Sequence, residues 1–424
     1  MLSRKVLFSA LFATVAMYAS AQSSTNSPYT RFGFGDLSDR VFTNNAAMGG
    51  VGHALRSNRH INTMNPASYT SVDSLSFMFD LGLSLKSSNY QEGGYKSNAK
   101  NSTFDYLAMQ FRLHPRIGFA VGFVPYSNIG YNFSTTSTIE NSETKLTNTF
   151  VGEGGTNVVF AGIGFKILKN LSVGANIGYM YGTQDYSTTA TLNNGGDYTI
   201  NYSNTKLKSY KLDLGVQYTQ PINKDNKLTL GFTYEHGHDV NSTTVVGTQV
   251  TDGSSYNAKT ENTINGGYGI PTSYGAGIAY QFKNNLTVSA DYTMQDWSSV
   301  KHLDETFSYN KRNKIAAGVE YIPNPISRKF LSKLSYRAGA YYCTPYTKIK
   351  DANNGQFYDG AKEFGITGGF GFPLSLFQRK TMLSITGQYV KLSPTAGKFM
   401  SEDRFVLKIG LTLNEPWFMK WRVN

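Results

Sequence analysis

Apolar and polar residues alternate along several segments of the chain after about residue 70. In residues 171–181 every second side chain is apolar, and those between them are Ser, Gly, Asn or Met. Residues 286–294 and 405–413 show the same alternation. Because successive side chains of a β-strand point to opposite faces, each segment has one apolar face and one smaller or more polar face. The pattern therefore predicts strands.

The connections between these strands alternate between short and long. The short ones contain Pro, Asn and Lys, which end strands and make turns, whereas the long ones are rich in Ser, Thr, Asn and Gly. Short turns at one end and long loops at the other are typical of an outer-membrane β-barrel. We therefore predict an all-β fold, an antiparallel transmembrane barrel of about fourteen strands over residues 73–414. The long loops are expected near residues 88–102, 133–147, 186–204, 238–264, 297–308, 348–362 and 391–402.

The two ends of the chain differ from the barrel segment. Residues 1–21 have Arg4 and Lys5, then an apolar run, then Ala19-Ser20-Ala21, which is typical of a cleaved export signal. No later stretch is apolar enough for a membrane-spanning helix, so any span must consist of strands. Residues 415–424 follow the last predicted strand and are expected to form a periplasmic tail. These features together predict a protein of the bacterial cell outer membrane.

Composition and motifs exclude several kinds of chemistry. The net charge of +12 comes from Lys and Arg spread over loops and turns, which does not favour nucleic-acid binding. The single cysteine, Cys343, excludes an intrachain disulfide. His236 and His238 share a strand face, but the exposed flank of a loop explains them more simply than a metal site does. No nucleotide loop or hydrolase motif is present, so neither enzymatic activity nor a cofactor or metal is predicted.

Residues 22–72 do not alternate. They are rich in Gly, Asn and Ser, with isolated apolar side chains such as Val51 and Ile61. A disordered periplasmic tail and a plug inside the barrel are both compatible with this composition. The mixture of small and apolar residues favours a packed plug, or hatch.

Three short stretches carry a family resemblance. Residues 48–55 read Met-Gly-Gly-Val-Gly-His-Ala-Leu, residues 65–67 read Asn-Pro-Ala, and residues 118–126 of the third strand are rich in Gly and aromatic residues. This arrangement resembles the FadL/TodX family of outer-membrane transporters for long-chain fatty acids and other hydrophobic compounds. The resemblance implies a fourteen-stranded barrel plugged by its N-terminal segment, which agrees with the strand count made independently from the alternation.

The resemblance implies passive transport of hydrophobic small molecules and two groups of site residues. Arg56 and Arg59 either bind a ligand carboxylate or hold the hatch to lumen carboxylates such as Asp80 or Asp105. The hatch and ligand-binding candidates are Met48, Gly49, Gly50, Arg56, Arg59, Asn65, Pro66 and Ala67. The family also implies a break in strand three that opens the wall sideways, although an ordinary strand end explains the same residues. The candidates for this lateral opening are Phe123, Pro125, Asn128 and Gly130.

The chain also departs from the family pattern. Polar and basic residues such as His53 and Arg56 occur within the hatch, and a tail follows the last strand. These departures leave open a second function, that of a non-transport barrel acting as a structural or secretion/assembly partner. The expected partners are therefore hydrophobic small molecules, outer-membrane lipid and, for the second function, a protein at the cell surface.

Overall fold

The computed structural model describes residues 25–252, 256–351, 354–376, 379–395 and 399–416. The predicted signal segment 1–21 lies outside the described residues, as does nearly all of the predicted tail 415–424.

Fourteen antiparallel strands close into one barrel, as predicted. Closure is complete because the last strand pairs with the first, from Ser76 opposite Pro416 to Gln91 opposite Ser401. In chain order the strands are β1 (Ser76–Glu92), β2 (Tyr95–His114), β3 (Ile117–Thr138), β4 (Lys145–Lys166), β5 (Leu171–Leu192), β6 (Tyr198–Pro221), β7 (Lys227–Glu235 continued by His238–Thr251), β8 (Tyr256–Asn265, Tyr268–Ile270 and Thr272–Phe282), β9 (Leu286–Asp296), β10 (Arg312–Tyr321), β11 (Ser335–Cys343), β12 (Ala361–Leu376), β13 (Arg379–Pro394) and β14 (Ser401–Pro416).

The two faces of the strands are those that the alternation predicts. In β5, Ile177 and Tyr179 are more than half exposed on the outer surface. In β1, Asp80 points inward, is fully buried and accepts a hydrogen bond from Thr412 Oγ1 at 3.0 Å. Asp291 of β9 also points inward, where it contacts the N-terminal segment. An apolar outer surface and a polar interior are the arrangement of a membrane barrel.

The long connections differ from the expectation. Residues 186–204 and 238–264 were expected to be loops, but strands β5–β8 continue through most of both ranges. The reason is that Thr and Ser form good cross-strand pairs on a hydrated sheet. Ser134 and Thr149 are one such pair, with their hydroxyl oxygens 2.9 Å apart. Strands β3–β8 therefore continue toward the outer end of the barrel as one "outer sheet", made of residues 124–138, 145–156, 183–192, 198–208, 238–251 and 256–265.

The N-terminal segment, residues 25–75, lies inside the barrel and is called the hatch below. At the outer end, where the long connections lie, Ser27 Oγ donates to Glu402 of β14 at 2.6 Å. At the inner end, where the short turns lie, Thr70 Oγ1 donates to Ser172 Oγ of β5 at 3.0 Å. The chain therefore runs through the barrel from its outer to its inner end before β1 begins. In chain order its elements are a 3-10 helix (Pro28–Arg31), a short strand (Asp36–Leu37), a short α-helix (Thr43–Ala46) and a second 3-10 helix (Pro66–Ser71).

The remaining elements lie in the connections. A small three-stranded sheet (Phe307–Tyr309, Thr347–Lys350 and Phe357–Asp359) and a 3-10 turn, Trp297–Ser299, belong to the outer end. The helix Phe330–Lys333 belongs to the turn between β10 and β11. Among the described residues, no helix combines the length and the apolar character that a membrane crossing requires.

Candidate functional site

The barrel wall is incompletely paired between β2 and β3. These two strands pair only from Leu107 opposite Phe123 to His114 opposite Ile117. By contrast, β2 pairs with β1 as far as the turn at its outer end, and β3 pairs with β4 along its whole length. The wall therefore separates between residues 95–106 of β2 and residues 124–138 of β3. We call this separation the seam.

The seam corrects the expectation of a break within strand three. Strand β3 is continuous, and Pro125 remains opposite Asn157 of β4. The extra residue Tyr126 forms a bulge between Pro125 and Ser127. A bulge absorbs a proline because the strand needs to give up only one ladder hydrogen bond there, and the β4 ladder holds the rest. The wall thus separates beside the predicted residues, along the β2–β3 boundary, and not through them.

The hatch covers the lower part of the seam. Its two-residue strand pairs antiparallel with β3, with Asp36 opposite Asn128 and Leu37 opposite Ser127. Thr30 Oγ1 lies 3.2 Å from the Gly130 nitrogen and 3.1 Å from the Gly130 oxygen. Two of the predicted lateral-opening residues, Asn128 and Gly130, therefore lie at the seam and are bound to the hatch.

Gly35 makes the close approach of hatch and wall possible. Its φ is +79°, which is unfavourable for residues with a Cβ atom. A Cβ added there would be 2.4 Å from the carbonyl oxygen of Asn128. Only glycine meets both requirements, so the chain at this position is specialised for contact with β3.

Buried ion pairs attach the hatch to one side of the lumen. Arg40 donates to Asp213 of β6 at 2.7 Å and also to Glu235 of β7. Lys211 bridges the same two carboxylates at 2.9 and 2.7 Å. Burial lowers the pKa of Arg40, but attraction by Asp213 and Glu235 outweighs it and raises that pKa. The four groups form a balanced network of two positive and two negative charges.

Two hatch carboxylates make corresponding contacts on the other side. Asp36 accepts from Arg404 of β14 at 3.1 Å and from Lys86 of β1 at 3.2 Å. Burial raises the pKa of Asp36, but these two cations outweigh it and lower the pKa to about 2. Asp39 binds Lys314 of β10 at 2.6 Å and a neighbouring arginine, and its pKa is lowered in the same way despite burial.

The two sequence motifs predicted for the hatch, around Gly49 and around Asn65, bind it to the inner face of the barrel wall. The nitrogen of Gly49 donates to Thr367 Oγ1 of β12 at 2.9 Å, in the turn of residues 47–50 that includes Met48 and Gly50. Asn65 Nδ2 donates to the carbonyl oxygens of His53 and Val216 at 2.7 and 3.2 Å. Asn65 Oδ1 accepts from the nitrogen of Ala67 at 3.1 Å and so caps the 3-10 helix that starts at Pro66.

Among the described residues, neither predicted arginine forms an ion pair with a lumen carboxylate. Arg56 donates to Gln217 Oε1 at 3.0 Å and to Thr70 Oγ1 at 2.6 Å, and burial lowers its pKa to about 10. Asp105, one of the carboxylates proposed from the sequence, binds Lys408 instead. Arg59 is exposed. The ion-pair interpretation was therefore wrong, and binding of a ligand carboxylate by either arginine stays a prediction.

The spaces around the hatch differ in size. Three cavities beside its charged residues have volumes of 170, 80 and 40 Å³. A fourth, beside Arg31 and Gly33 at the outer end, has a volume of 350 Å³ and is lined in large part by Tyr, Phe and aliphatic side chains. At the outer end, aromatic rings of hatch and loops pack together; the Trp297 ring lies 5.6 Å from that of Phe34 and 4.9 Å from that of Tyr346. Side chains lining the largest of the three cavities include Asp36, Asp39, Lys86, Lys314, Glu363 and Arg404.

His236 and His238 form a stack rather than a ligand cluster. The ring of His238 lies 4.0 Å from that of Tyr210, and its Nε2 lies 2.7 Å from Ser209 Oγ. No group of three His, Cys, Asp or Glu side chains arranged for a metal ion occurs among the described residues.

Sequence reasoning missed the charged residues of the hatch. Asp36, Asp39 and Arg40 are close together in a segment that otherwise carries few charges. The wall charges beside Arg40 and Asp39 occur as pairs two residues apart on one strand face, Lys211 with Asp213 and Arg312 with Lys314. Paired inward charges on two strands are the signal that would have indicated an ionic plug.

Comparison with known proteins identifies the family. The family model BamG matches residues 1–424. The chain belongs to the BamG family. No curated protein matches it.

Solved structures similar to this BamG chain share its fold at low identity. The Pseudomonas putida toluene transporter TodX has a TM-score of 0.60 at 13% identity, covering 92% of this chain and 99% of its own. A Pseudomonas aeruginosa FadL homologue has a TM-score of 0.59 at 14% identity, covering 91% and 100%. The monoaromatic hydrocarbon channel CymD has a TM-score of 0.57 at 15% identity, covering 88% and 97%. The FadL/TodX resemblance seen in the sequence is therefore confirmed for the fold.

Proposed function

We propose that this BamG chain is a non-catalytic barrel of the bacterial outer membrane that acts as a structural or assembly partner of another membrane protein. The observation that carries this proposal is the ionic packing of the lumen. The hatch is joined to the wall on two sides by ion pairs that are largely shielded from solvent, centred on Arg40 and on Asp36 with Asp39.

A lumen filled by ion pairs is poorly suited to the passage of an apolar ligand. Pockets for such ligands have volumes of about 300–1,000 Å³ and are lined mainly by apolar side chains. The three cavities beside the ion pairs of Asp36, Asp39 and Arg40 reach only 170 Å³, and charged side chains line the largest of them. The 350 Å³ cavity beside Arg31 and Gly33 lies at the outer end, so a ligand held there would still have to pass the ion pairs to cross the barrel. To pass there, a ligand would have to separate several ion pairs, each costly to break when buried. A barrel whose lumen is filled by an ion-paired hatch is instead a suitable scaffold for holding a second protein in the membrane.

Isolation from native membranes tests the proposal. The chain, with an affinity tag in the exposed Gly195–Gly196 turn, would be solubilised in a mild detergent and its mass measured by size exclusion with light scattering. We expect a complex of fixed stoichiometry with a second membrane protein, well above the 46.8 kDa of the chain. A monomeric barrel at every detergent concentration would contradict the proposal.

Passive transport of hydrophobic small molecules is the second candidate, and the seam favours it. The separation of β2 and β3 beside Pro125 offers a sideways route toward lipid, and barrels of the same fold carry the names of hydrocarbon channels. On this hypothesis the hatch contacts at the seam act as the gate.

Substitution at the gate distinguishes the two candidates. Thr30→Val keeps the shape of the side chain but removes its hydrogen bonds to Gly130. If the seam is a transport route, the variant should take up labelled toluene or a long-chain fatty acid several-fold faster than the unaltered chain in reconstituted vesicles. Equal uptake by both proteins, at the level of empty vesicles, would exclude transport through the seam.

A further inference from the structure

The outer sheet has two free edges. One is β3, because β2 leaves it at the seam. The other is the outer part of β8, Tyr256–Asn265, which pairs with β7 and has no recorded partner strand on its other side among the described residues. Free edges invite pairing with other chains, so proteins usually protect them with charges, proline or a cover.

The two edges are protected differently. The β8 edge carries Lys259 and Glu261, whose side chains form an exposed ion pair at 2.9 Å. Residues 132–138 of β3 read Asn-Phe-Ser-Thr-Thr-Ser-Thr and contain neither a charge nor a proline. One edge of the same sheet is therefore blocked by charge, whereas the other remains open to an added strand.

At even-numbered residues of the β3 edge, the backbone N–H and C=O groups point toward the seam. The oxygen of Tyr126 accepts from Ser38, and both backbone groups of Gly130 contact Thr30. Because the direction of backbone groups alternates along a strand, those of Asn132, Ser134 and Thr136 point the same way. No backbone partner for these three residues on that side is recorded among the described residues.

This part of β3 is held in an extended conformation before anything binds. The rings of Phe133 and Phe150 stack with centroids 5.2 Å apart. The hydroxyl oxygens of Thr136 and Thr147 lie 3.1 Å apart across the β3–β4 ladder. A preorganised edge loses little entropy when a strand is added.

The hatch already uses the same edge. Asp36 and Leu37 add to β3 as an antiparallel strand at Asn128 and Ser127. Residues 132–138 of β3 follow Gly130 toward the outer end, so a strand added there would continue the ladder that the hatch begins. Near its start the hatch binds β14 instead, because Ser27 donates to Glu402.

We propose that residues 130–138 of β3 bind an extended, uncharged segment of a second outer-membrane protein as an added β-strand. Main-chain hydrogen bonds supply the affinity, as in other cases of strand addition. The inference rests on the proposed function and deepens it, because it names the surface through which the partner is held.

Proline substitution at the two edges provides a matched test. Ser134→Pro removes a donor that points toward the seam and leaves the backbone ladder to β4 intact. It also removes the Ser134–Thr149 hydroxyl contact, so Ser134→Ala, which loses only that contact, accompanies it and should bind the partner normally. Thr263→Pro is the control, because Gly266 donates to Ser242 of β7 and odd-numbered residues of this edge therefore face away from β7. All three variants would be isolated from native membranes as described above, and heat-modifiable gel mobility would verify folding. We expect at least ten-fold less partner with Ser134→Pro and an unchanged amount with Thr263→Pro.

Hydrogen exchange on the unaltered complex gives a second readout that needs no variant. The amides of Asn132, Ser134 and Thr136 should exchange at least ten-fold more slowly in the complex than in the chain stripped of its partner. A complex that survives Ser134→Pro, with these amides exchanging at the free rate, would overturn the inference and leave the proposed function standing. A bound protein that proves to be a second copy of the chain would also overturn it, and the absence of any complex would reject both proposals.

Discussion

Arg40 of the hatch and Asp213 of strand β6 form an ion pair of 2.7 Å inside the barrel, with side chains 14% and 9% exposed. The pair joins a segment that precedes the barrel to the middle of its wall. Lys211 and Glu235 complete the network, so that the number of positive and negative charges is equal. A buried charge is tolerated only when it is paired, so this site depends on all four groups together.

The first prediction concerns loss of one charge from this network. Arg40→Ala leaves Lys211 alone between two carboxylates, and we expect the attachment of the hatch to weaken by about 3 kcal/mol. The weakened hatch should be cut faster by protease in the purified barrel and should raise its conductance in planar bilayers. Arg59→Ala is the control, since that side chain is exposed and should change neither measurement. Equal protease resistance of both variants would contradict an anchoring role for Arg40.

The second prediction compares two glycines with positive φ. Gly49, at +72°, lies in the hatch, and a Cβ added there would be 2.6 Å from the carbonyl oxygen of Ala340. Gly93, at +52°, lies in the β1–β2 turn with nothing within 4 Å of an added Cβ. Gly49→Ala should displace the hatch and lower its protease resistance, whereas Gly93→Ala should cost only about 1 kcal/mol. Similar behaviour of the two variants would mean that the turn at Gly49 is not held against the wall.

The third prediction concerns pH. Arg337 donates to His60 Nε2 at 3.1 Å, and burial together with the nearby arginine charges holds the pKa of His60 well below 6.5. Burial likewise lowers the pKa of His53. The native state therefore binds fewer protons than the unfolded state below pH 6.5. Stability from these groups is complete above about pH 6.5 and falls by up to about 1.4 kcal/mol per pH unit and per histidine below it.

Protease resistance of the hatch at pH 7.5 and at pH 5 measures this effect. Asp36 does not interfere, because its pKa of about 2 and its ordinary value of 3.8 place its contribution at lower pH. We expect faster cleavage at pH 5, with a smaller pH effect in His60→Gln. His114→Gln, at an exposed strand end, serves as the control. A pH response that is identical in both variants would exclude His60 as its source.

The sequence predicts the barrel well because one physical rule acts on every strand. A residue in the wall faces either lipid or the polar interior, so the alternation identified all fourteen strands and placed Asp80 and Asp291 inward. The Pro, Asn and Lys residues of the turns also indicated which connections are short, because the residues that favour a tight turn act locally. The long connections predicted near 88–102, 186–204 and 238–264 are mostly strand, since Ser, Thr and Asn occur both in loops and in hydrated strands, whereas those predicted near 297–308 and 348–362 do connect barrel strands.

The seam and the ionic network could not be predicted from single segments of the sequence, because both depend on contacts between distant parts of the chain. How far β2 follows β3 depends on pairing between strands, and Pro125 indicated a disturbance without saying whether it is a break or a bulge. Arg40 and Asp213 meet only because the hatch threads through the barrel. Which charge meets which is a property of that path, and the sequence records only that inward charges exist.

The fourth prediction concerns the path of the hatch itself. Tyr29 donates through its hydroxyl to the carbonyl oxygen of Met400, and Ser27 donates to Glu402. Both acceptors lie at the outer end of β14, so the beginning of the mature chain should be at the cell-surface end of the barrel although β1 starts at the other end. An epitope inserted between Gln22 and Ser23 should therefore bind antibody on intact cells.

Two further insertions calibrate the measurement. An epitope in the Gly195–Gly196 turn, at the outer end, should be accessible on intact cells, and one between Lys224 and Asp225, in a short turn, should be accessible only after the outer membrane is permeabilised. The epitope after Gln22 should behave like the first. If it behaves like the second while the barrel remains heat-modifiable, the hatch enters from the periplasmic end, and the contacts of Ser27 and Tyr29 with β14 do not form in the membrane. Because an entry from the periplasm would also free the β3 edge near Gly130, this measurement bears on the seam as well as on the topology.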